Sequence, residues 1–233
     1  MTLFAFSDKI SAIPTSFTVK WFTMRINLVL HALKVTLYIA IPALIFGFLI
    51  SLPLSYAIAK RKFWGKNILD QIVIIPILIP GTVYGLALLQ LFNTSVLKSV
   101  PPLITLIIAH TMVVIPVISR PIIASLQQLD NSCEEAAYSL GSKPIKTFVK
   151  ITFPLISPGV LIGIIFGFAR SANDFIMTLY LVSVNSVPLS IYIFNSTHYS
   201  IPQLTAATTI PLLILSFILI YIAEKFTEAK YIV

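Results

Sequence analysis

Charge is what this sequence has least of. Of its 233 residues only 10% are Asp, Glu, Lys or Arg, where a soluble domain carries roughly 25%. With 58% hydrophobic residues and a mean hydropathy of +0.97, that scarcity excludes an ordinary water-solvated shell. There is one cysteine, Cys133, so an intrachain disulfide is impossible and redox compartment is undetermined. The three histidines, His31, His110 and His198, are too scattered to suggest a metal site. No Gly-x-x-x-x-Gly-Lys-Ser/Thr phosphate loop, Gly-x-Ser-x-Gly elbow or His-Glu-x-x-His pair occurs. The first residues lack the basic start of a signal peptide. The sequence thus predicts a non-enzymatic chain with no catalytic residue, cofactor or metal of its own.

What is present is lipid-compatible sequence. Uncharged runs cover residues 35–59, 71–97, 99–119, 151–169 and 175–223. A membrane span needs about 20 predominantly apolar residues. The predicted fold is an all-α integral membrane protein with five transmembrane helices, over residues 34–59, 68–92, 103–126, 153–182 and 204–223. Pro42, Pro53 and Gly47 lie in the first and are tolerated where neighbours satisfy freed carbonyls. Pro80 removes a backbone donor and predicts a kink in the second, where Gly81 and Gly85 have small-xxx-small spacing for close helix contact. The +8 net charge clusters at the ends of the apolar runs, which excludes a nucleic-acid stripe and fits the positive-inside pattern.

That pattern sets an orientation. Lys60, Arg61, Lys62, Lys66, Arg120, Lys143, Lys146, Lys150, Lys225 and Lys230 fall on one side, predicted cytoplasmic, with the C-terminus. Between spans the other side holds only Lys98. Lys9, Lys20, Arg25 and Lys34 fall outside and break the rule.

Residues 132–154 form a polar island. Ser132 and Glu135 have capping-box spacing, predicting a helix over residues 133–140. Gly141 then takes a left-handed C′ position. Ser142 is expected to cap a second short helix with Pro144 in its first turn. Arg170 and Asp174, spaced i and i+4, are the only charges deep in an apolar region, with Asn173 beside them. They are read either as a packing ion pair or as a candidate translocation-pathway lining. His110 is read as a hydrogen-bonded packing residue.

Glu135-Ala136-Ala137, three residues, Gly141, nine residues, then Ile151-Thr152-Phe153-Pro154 resembles the EAA loop of ABC-importer permeases, with Phe153 where the family has Leu. The resemblance implies that Glu135, Ala136, Ala137, Gly141, Ile151 and Pro154 couple the chain to a cytoplasmic ABC ATPase dimer. It also implies a second permease subunit, identical or related, and an extracytoplasmic solute-binding protein, all assembled in the inner membrane. The whole chain, 1–233, is then one permease domain, with a membrane core at 27–223 and a coupling loop at 127–152.

Three further segments resemble polyamine-type permeases: Phe17-Thr18-Val19-Lys20-Trp21-Phe22, Ser171-Ala172-Asn173-Asp174-Phe175 and Val187-Pro188-Leu189-Ser190-Ile191-Tyr192. In the second, Asn173 replaces an acid. A family-typical first helix is missing here or represented by a stub at residues 1–7. The resemblance points to a polyamine as solute ahead of ferric iron, thiamine, phosphonate or an oxyanion. The alternative class is a channel or secondary transporter that no ATPase drives.

Overall fold

A computed structural model describes residues 5–6 and 18–231, and these form helices and connecting turns with no strand. In chain order the helices are α1 (Lys20–Met24), α2 (Ile26–Lys60), α3 (Lys66–Leu78), α4 (Gly81–Phe92) and α5 (Pro102–Gln128). They continue with α6 (Ser132–Ser139), α7 (Pro144–Thr147), a π-helical turn (Phe148–Thr152), α8 (Phe153–Ala172), α9 (Ile176–Leu181), α10 (Leu189–Tyr199) and α11 (Pro202–Tyr231).

α5 is the axis of the bundle. Among its buried residues, Leu106, Ala109, Val114, Ile118, Ile122 and Leu126 are fully enclosed. Lipid tails are as apolar as leucine, so apolar burial alone does not hold membrane helices together; close backbone approach does. α5 is gripped accordingly on two sides. From α2, Ser51 and Ser55 donate to the Ile115 and Ser119 carbonyls at 3.0 and 3.2 Å. From α8, Gly159, Gly163 and Gly167 lie so close that a Cβ on Gly163 would meet the Ile118 carbonyl oxygen at 2.8 Å. Leu44, Phe48, Leu52 and Ile164 pack around this contact.

By length and composition three continuous helical stretches can cross a membrane: α2, α5, and the 29 residues Pro144–Ala172. The stretch expected as the second span is instead two helices, α3 and α4, bent by 99°. The cause is local. A residue before proline avoids the helical region, and Ile79 is extended (φ −75°, ψ 129°) ahead of Pro80, which itself has ψ 136°. Gly81 and Gly85 then seat α4 against α9: a Cβ on Gly85 would lie 3.2 Å from the Met177 backbone. Arg120 ties α5 to α3 by an ion pair with Asp70 at 3.0 Å. The fifth expected span begins in α11, whose apolar part is Pro202–Ile218.

The fourth expected span is displaced. Its helix starts at Pro144, nine residues earlier than the expected residue 153, and it ends at Ala172 instead of 182. The stop is chemical: Asn173 Nδ2 donates back to the Ala169 carbonyl at 2.9 Å, and the Asp174 carboxylate takes up the Thr178 N–H at 3.0 Å to start α9. The Asp174 side chain therefore replaces one rung of the helix ladder, while the Asn173 amide doubles the bond that its own N–H makes to the Ala169 carbonyl at 3.1 Å. Most of the expected stub at residues 1–7, and Phe17, lie outside the described residues. Ala5 is buried in a small cluster with Trp21, Phe22, Ala206 and Ala207.

Candidate functional site

The polar island folds as a helical hairpin, α6 followed by α7. The predicted capping box does not form. Asn131, not Ser132, holds the N-cap position, and the Glu135 N–H donates to the Asn131 carbonyl at 3.0 Å. Asp130 accepts the Ser132 N–H at 3.0 Å, and this bond holds the exposed Asp130 carboxyl below the usual carboxylate range. Gly141 does end the helix in the left-handed region, at φ +77°. The Gly141 N–H reaches the Tyr138 carbonyl at 2.9 Å and the Ser142 N–H reaches Ala137 at 3.0 Å, a double-bonded glycine stop.

Pro144 occupies the first turn of α7 as expected, but Lys143 is the N-cap and no side chain caps it. Nor is the second helix short and separate. It runs through the π-helical turn straight into α8, so half the hairpin is the end of a span.

The expected coupling residues divide by exposure. Glu135, Ala136, Gly141 and Pro154 are exposed, Ala137 is buried against the bundle, and Ile151 is half-buried. Two apolar side chains absent from the motif are more exposed than any of these implies: Leu140 at 89% and Ile145 at 80%. The buried acid is Glu134, one residue ahead of the motif, which accepts from Thr152 Oγ1 at 2.5 Å. Behind the hairpin, Lys60 at the end of α2 donates to Asn131 Oδ1 at 2.6 Å and to the Leu129 carbonyl at 3.2 Å. The Phe148 ring meets Tyr56 edge-on at 5.4 Å.

A second polar cluster lies at the opposite end of α8. Arg170 Nη1 pairs with Asp174 Oδ1 at 2.7 Å; the arginine side chain is 39% exposed and the aspartate 4%. Asp174 Oδ2 accepts both the N–H and the hydroxyl of Thr178, at 3.0 and 2.9 Å. The Thr178 proton is thereby spent, so its oxygen accepts from His110 Nε2 at 3.1 Å. His110 Nδ1 is then the acceptor for the Ser171 hydroxyl at 2.8 Å. Ser190 also donates to the Asp174 carbonyl oxygen at 2.8 Å, bringing in α10. The geometry joins Arg170 to Asp174 but turns Asn173 outward. The pair sits at a helix end and not deep within a continuous span, because α8 stops at Ala172.

Asp174→Ala would strand two buried donors and a guanidinium; each unpaired buried donor costs about 1–3 kcal/mol. The expected order of thermal stability in detergent is wild type, then Asp174→Asn, then Asp174→Ala. Unchanged stability with lost uptake would assign Asp174 to a solute path instead.

Helices long and apolar enough to cross a membrane are thus joined by a glycine-stopped hairpin whose apolar tips, Leu140 and Ile145, are uncovered. The chain belongs to the family described as "Binding-protein-dependent transport system inner membrane component", which it matches over residues 47–228, and it is an ABC-importer permease subunit. It is 28% identical over 211 residues to the molybdenum transport system permease protein ModB of Haemophilus influenzae, covering 84% of this chain and 92% of that protein. It is 30% identical over 217 residues to a probable sulfate transport system permease protein cysT of Zygnema circumcarinatum, covering 87% and 75%. A 151-residue match to the ferric transport system permease FbpB of Actinobacillus pleuropneumoniae, 32% identical, spans 65% of this chain but 21% of that protein. The chain likewise spans about half, 55%, of the cysT protein of Helicosporidium. In fold it is similar to a bacterial ABC transporter involved in alginate import (TM-score 0.77, 16% identity, 97% and 87% covered). It is also similar to the MetNI methionine ABC transporter (0.70, 19%, 88% and 97%).

The glycine stripe Gly159-x3-Gly163-x3-Gly167 at the α5 contact was missed in the sequence, although its small-xxx-small spacing is a signal that could have found it. Glu134, Ser171 and Thr178 carry no comparable local signal; only the fold gives them partners.

Proposed function

We propose that this subunit imports an oxyanion, with its α6–α7 hairpin docked on a cytoplasmic ATPase dimer, a second permease subunit beside it and a solute-binding protein on the outer face. The observation that carries the coupling role is the uncovered surface of the hairpin. Leu140, Ile145, Ala136 and Glu135 stand exposed around a rigid left-handed glycine stop. Such a knob is suited to a cleft on a partner that hydrolyses ATP. Closure of the ATPase would draw the two hairpins of the permease pair together and swing the spans between inward- and outward-open states. That is a two-state equilibrium biased by ATP at one end and by loaded binding protein at the other. The hairpin and the C-terminus would then be cytoplasmic, as the distribution of Lys and Arg supports.

The solute class is drawn from the relatives named for molybdate and sulfate, and from charge. A polyamine path would favour unneutralised carboxylates. Here Arg170 neutralises Asp174, and the neighbouring acid of the polyamine pattern is Asn173. Arg170 and Asn173, the more exposed members of the cluster, are the candidate pathway residues. The test is uptake into vesicles carrying the whole assembly with ATP inside. Labelled molybdate or sulfate is expected to enter, with spermidine and ferric iron excluded. Entry of spermidine alone would overturn the oxyanion reading, and entry of any solute without ATP would overturn the ATPase-driven class.

A further inference from the structure

Glu134 and Thr152 lie outside the coupling surface, yet they make the tightest link between the hairpin and the bundle. Glu134 is in the first turn of α6 and 8% exposed; Thr152 closes the π-helical turn and is fully buried. Their hydrogen bond, at 2.5 Å, spans 18 residues of sequence. Thr147, also buried, ties the same hairpin through Ser142 Oγ at 3.0 Å. Residues five apart on an uninterrupted α-helix diverge by about 140° around its axis. The i→i+5 bond from the Phe153 N–H to the Phe148 carbonyl brings Thr147 and Thr152 towards one face. The π-helical turn thus aims the Thr152 hydroxyl at α6 and the Thr147 hydroxyl at Ser142 in the turn that follows α6, while leaving the glycine face of α8 against α5. The carboxylate also lines a polar cavity of about 230 Å³ together with Tyr56, Lys60, Arg61 and Asn131. A buried carboxylate beside cations holds its hydroxyl partner by a charge-assisted bond, which is short and directional.

We infer that Glu134 and Thr152 are positioning residues that lock the coupling helix to α8, so that force on the exposed face of α6 moves the span and is not lost in hinge motion. The inference rests on the coupling role proposed above. It names the joint through which that role acts.

The native Cys133 supplies the probe. It is the sole cysteine, is exposed, and neighbours Glu134. A spin label on Cys133 in the full assembly, built with cysteine-free partners, reads the mobility of α6; uptake per ATP hydrolysed reads coupling. Thr152→Val, which keeps shape but removes the donor, is expected to raise label mobility and lower uptake per ATP at least five-fold. Thr152→Ser, which restores the donor, is expected to return both to within two-fold of wild type. Wild-type values in Thr152→Val, or equal damage in Thr152→Ser, would overturn the inference. If Thr152→Val yields no complex, Glu134→Gln decides: it keeps an acceptor without the charge, so intermediate losses in both readouts support the lock and unchanged values overturn it. Gly141→Pro serves as the separate control. If it too leaves uptake per ATP unchanged, the coupling role itself falls, whereas loss there with an intact Thr152→Val removes only the lock.

Discussion

Gly163→Leu is expected to keep the permease from accumulating in the membrane. At this position even a Cβ would lie 2.8 Å from the Ile118 carbonyl oxygen and 3.1 Å from its Cα. These are backbone atoms of the most enclosed helix in the bundle, so no rotamer change makes room. Overpacking typically costs 1–3 kcal/mol, and more where the backbone must move. A leucine here pushes α8 off α5 and loosens the flanking Gly159 and Gly167 contacts. Fluorescence-detected size-exclusion chromatography should find at least ten-fold less monodisperse protein than wild type, with Gly163→Ala between the two. Wild-type yield of Gly163→Leu would mean that α5 and α8 do not pack as described.

Gly141→Pro is expected to reduce uptake at least ten-fold while the spans still assemble. Gly141 sits at φ +77° with open space around a would-be Cβ, so the constraint is conformational and not steric packing. Proline is locked near −65° and also removes the N–H that bonds the Tyr138 carbonyl. The α6–α7 turn must therefore be rebuilt, and Leu140 and Ile145 change their mutual placement. Gly141→Ala keeps the N–H and bears only the left-handed penalty, roughly 1–2 kcal/mol. It should retain part of the activity. Glu135→Lys, exposed on the same helix, is expected to lower uptake with no loss of folded protein. The measurement is ATP-dependent solute uptake normalised to reconstituted permease. Normal uptake by both Gly141→Pro and Glu135→Lys would remove the coupling role from this hairpin.

The sequence-level reading succeeded where one residue type at one place has a single physical solution. Gly141 is such a case, since a helix stop with two backbone bonds demands positive φ. Pro144 at the head of a helix and the bend at Pro80 are others. It failed where two local solutions compete. Ser132 and Glu135 have the spacing of a capping box, but Asn131 and Asp130, just ahead, satisfy the same N–H groups and win. Residues 153–182 are apolar enough to read as one span, yet Asn173 and Asp174 end the helix at Ala172 by bonding backbone groups themselves. Apolar periodicity cannot weigh those local bonds against continued helix.

By itself the sequence determined the medium and the hairpin: charge too sparse for water, runs long enough for lipid, and the Glu135-Ala136-Ala137…Gly141 spacing on a polar island between them. Only the tertiary structure decided which acid is buried, that Glu134 meets Thr152, and that Arg170 and Asp174 close a circuit with His110, Ser171 and Thr178. The reason is range. Composition and spacing act within a turn or two of helix, whereas a buried carboxylate finds its partner 18 residues away, and a histidine its hydroxyls more than 60 away, only once the helices have packed.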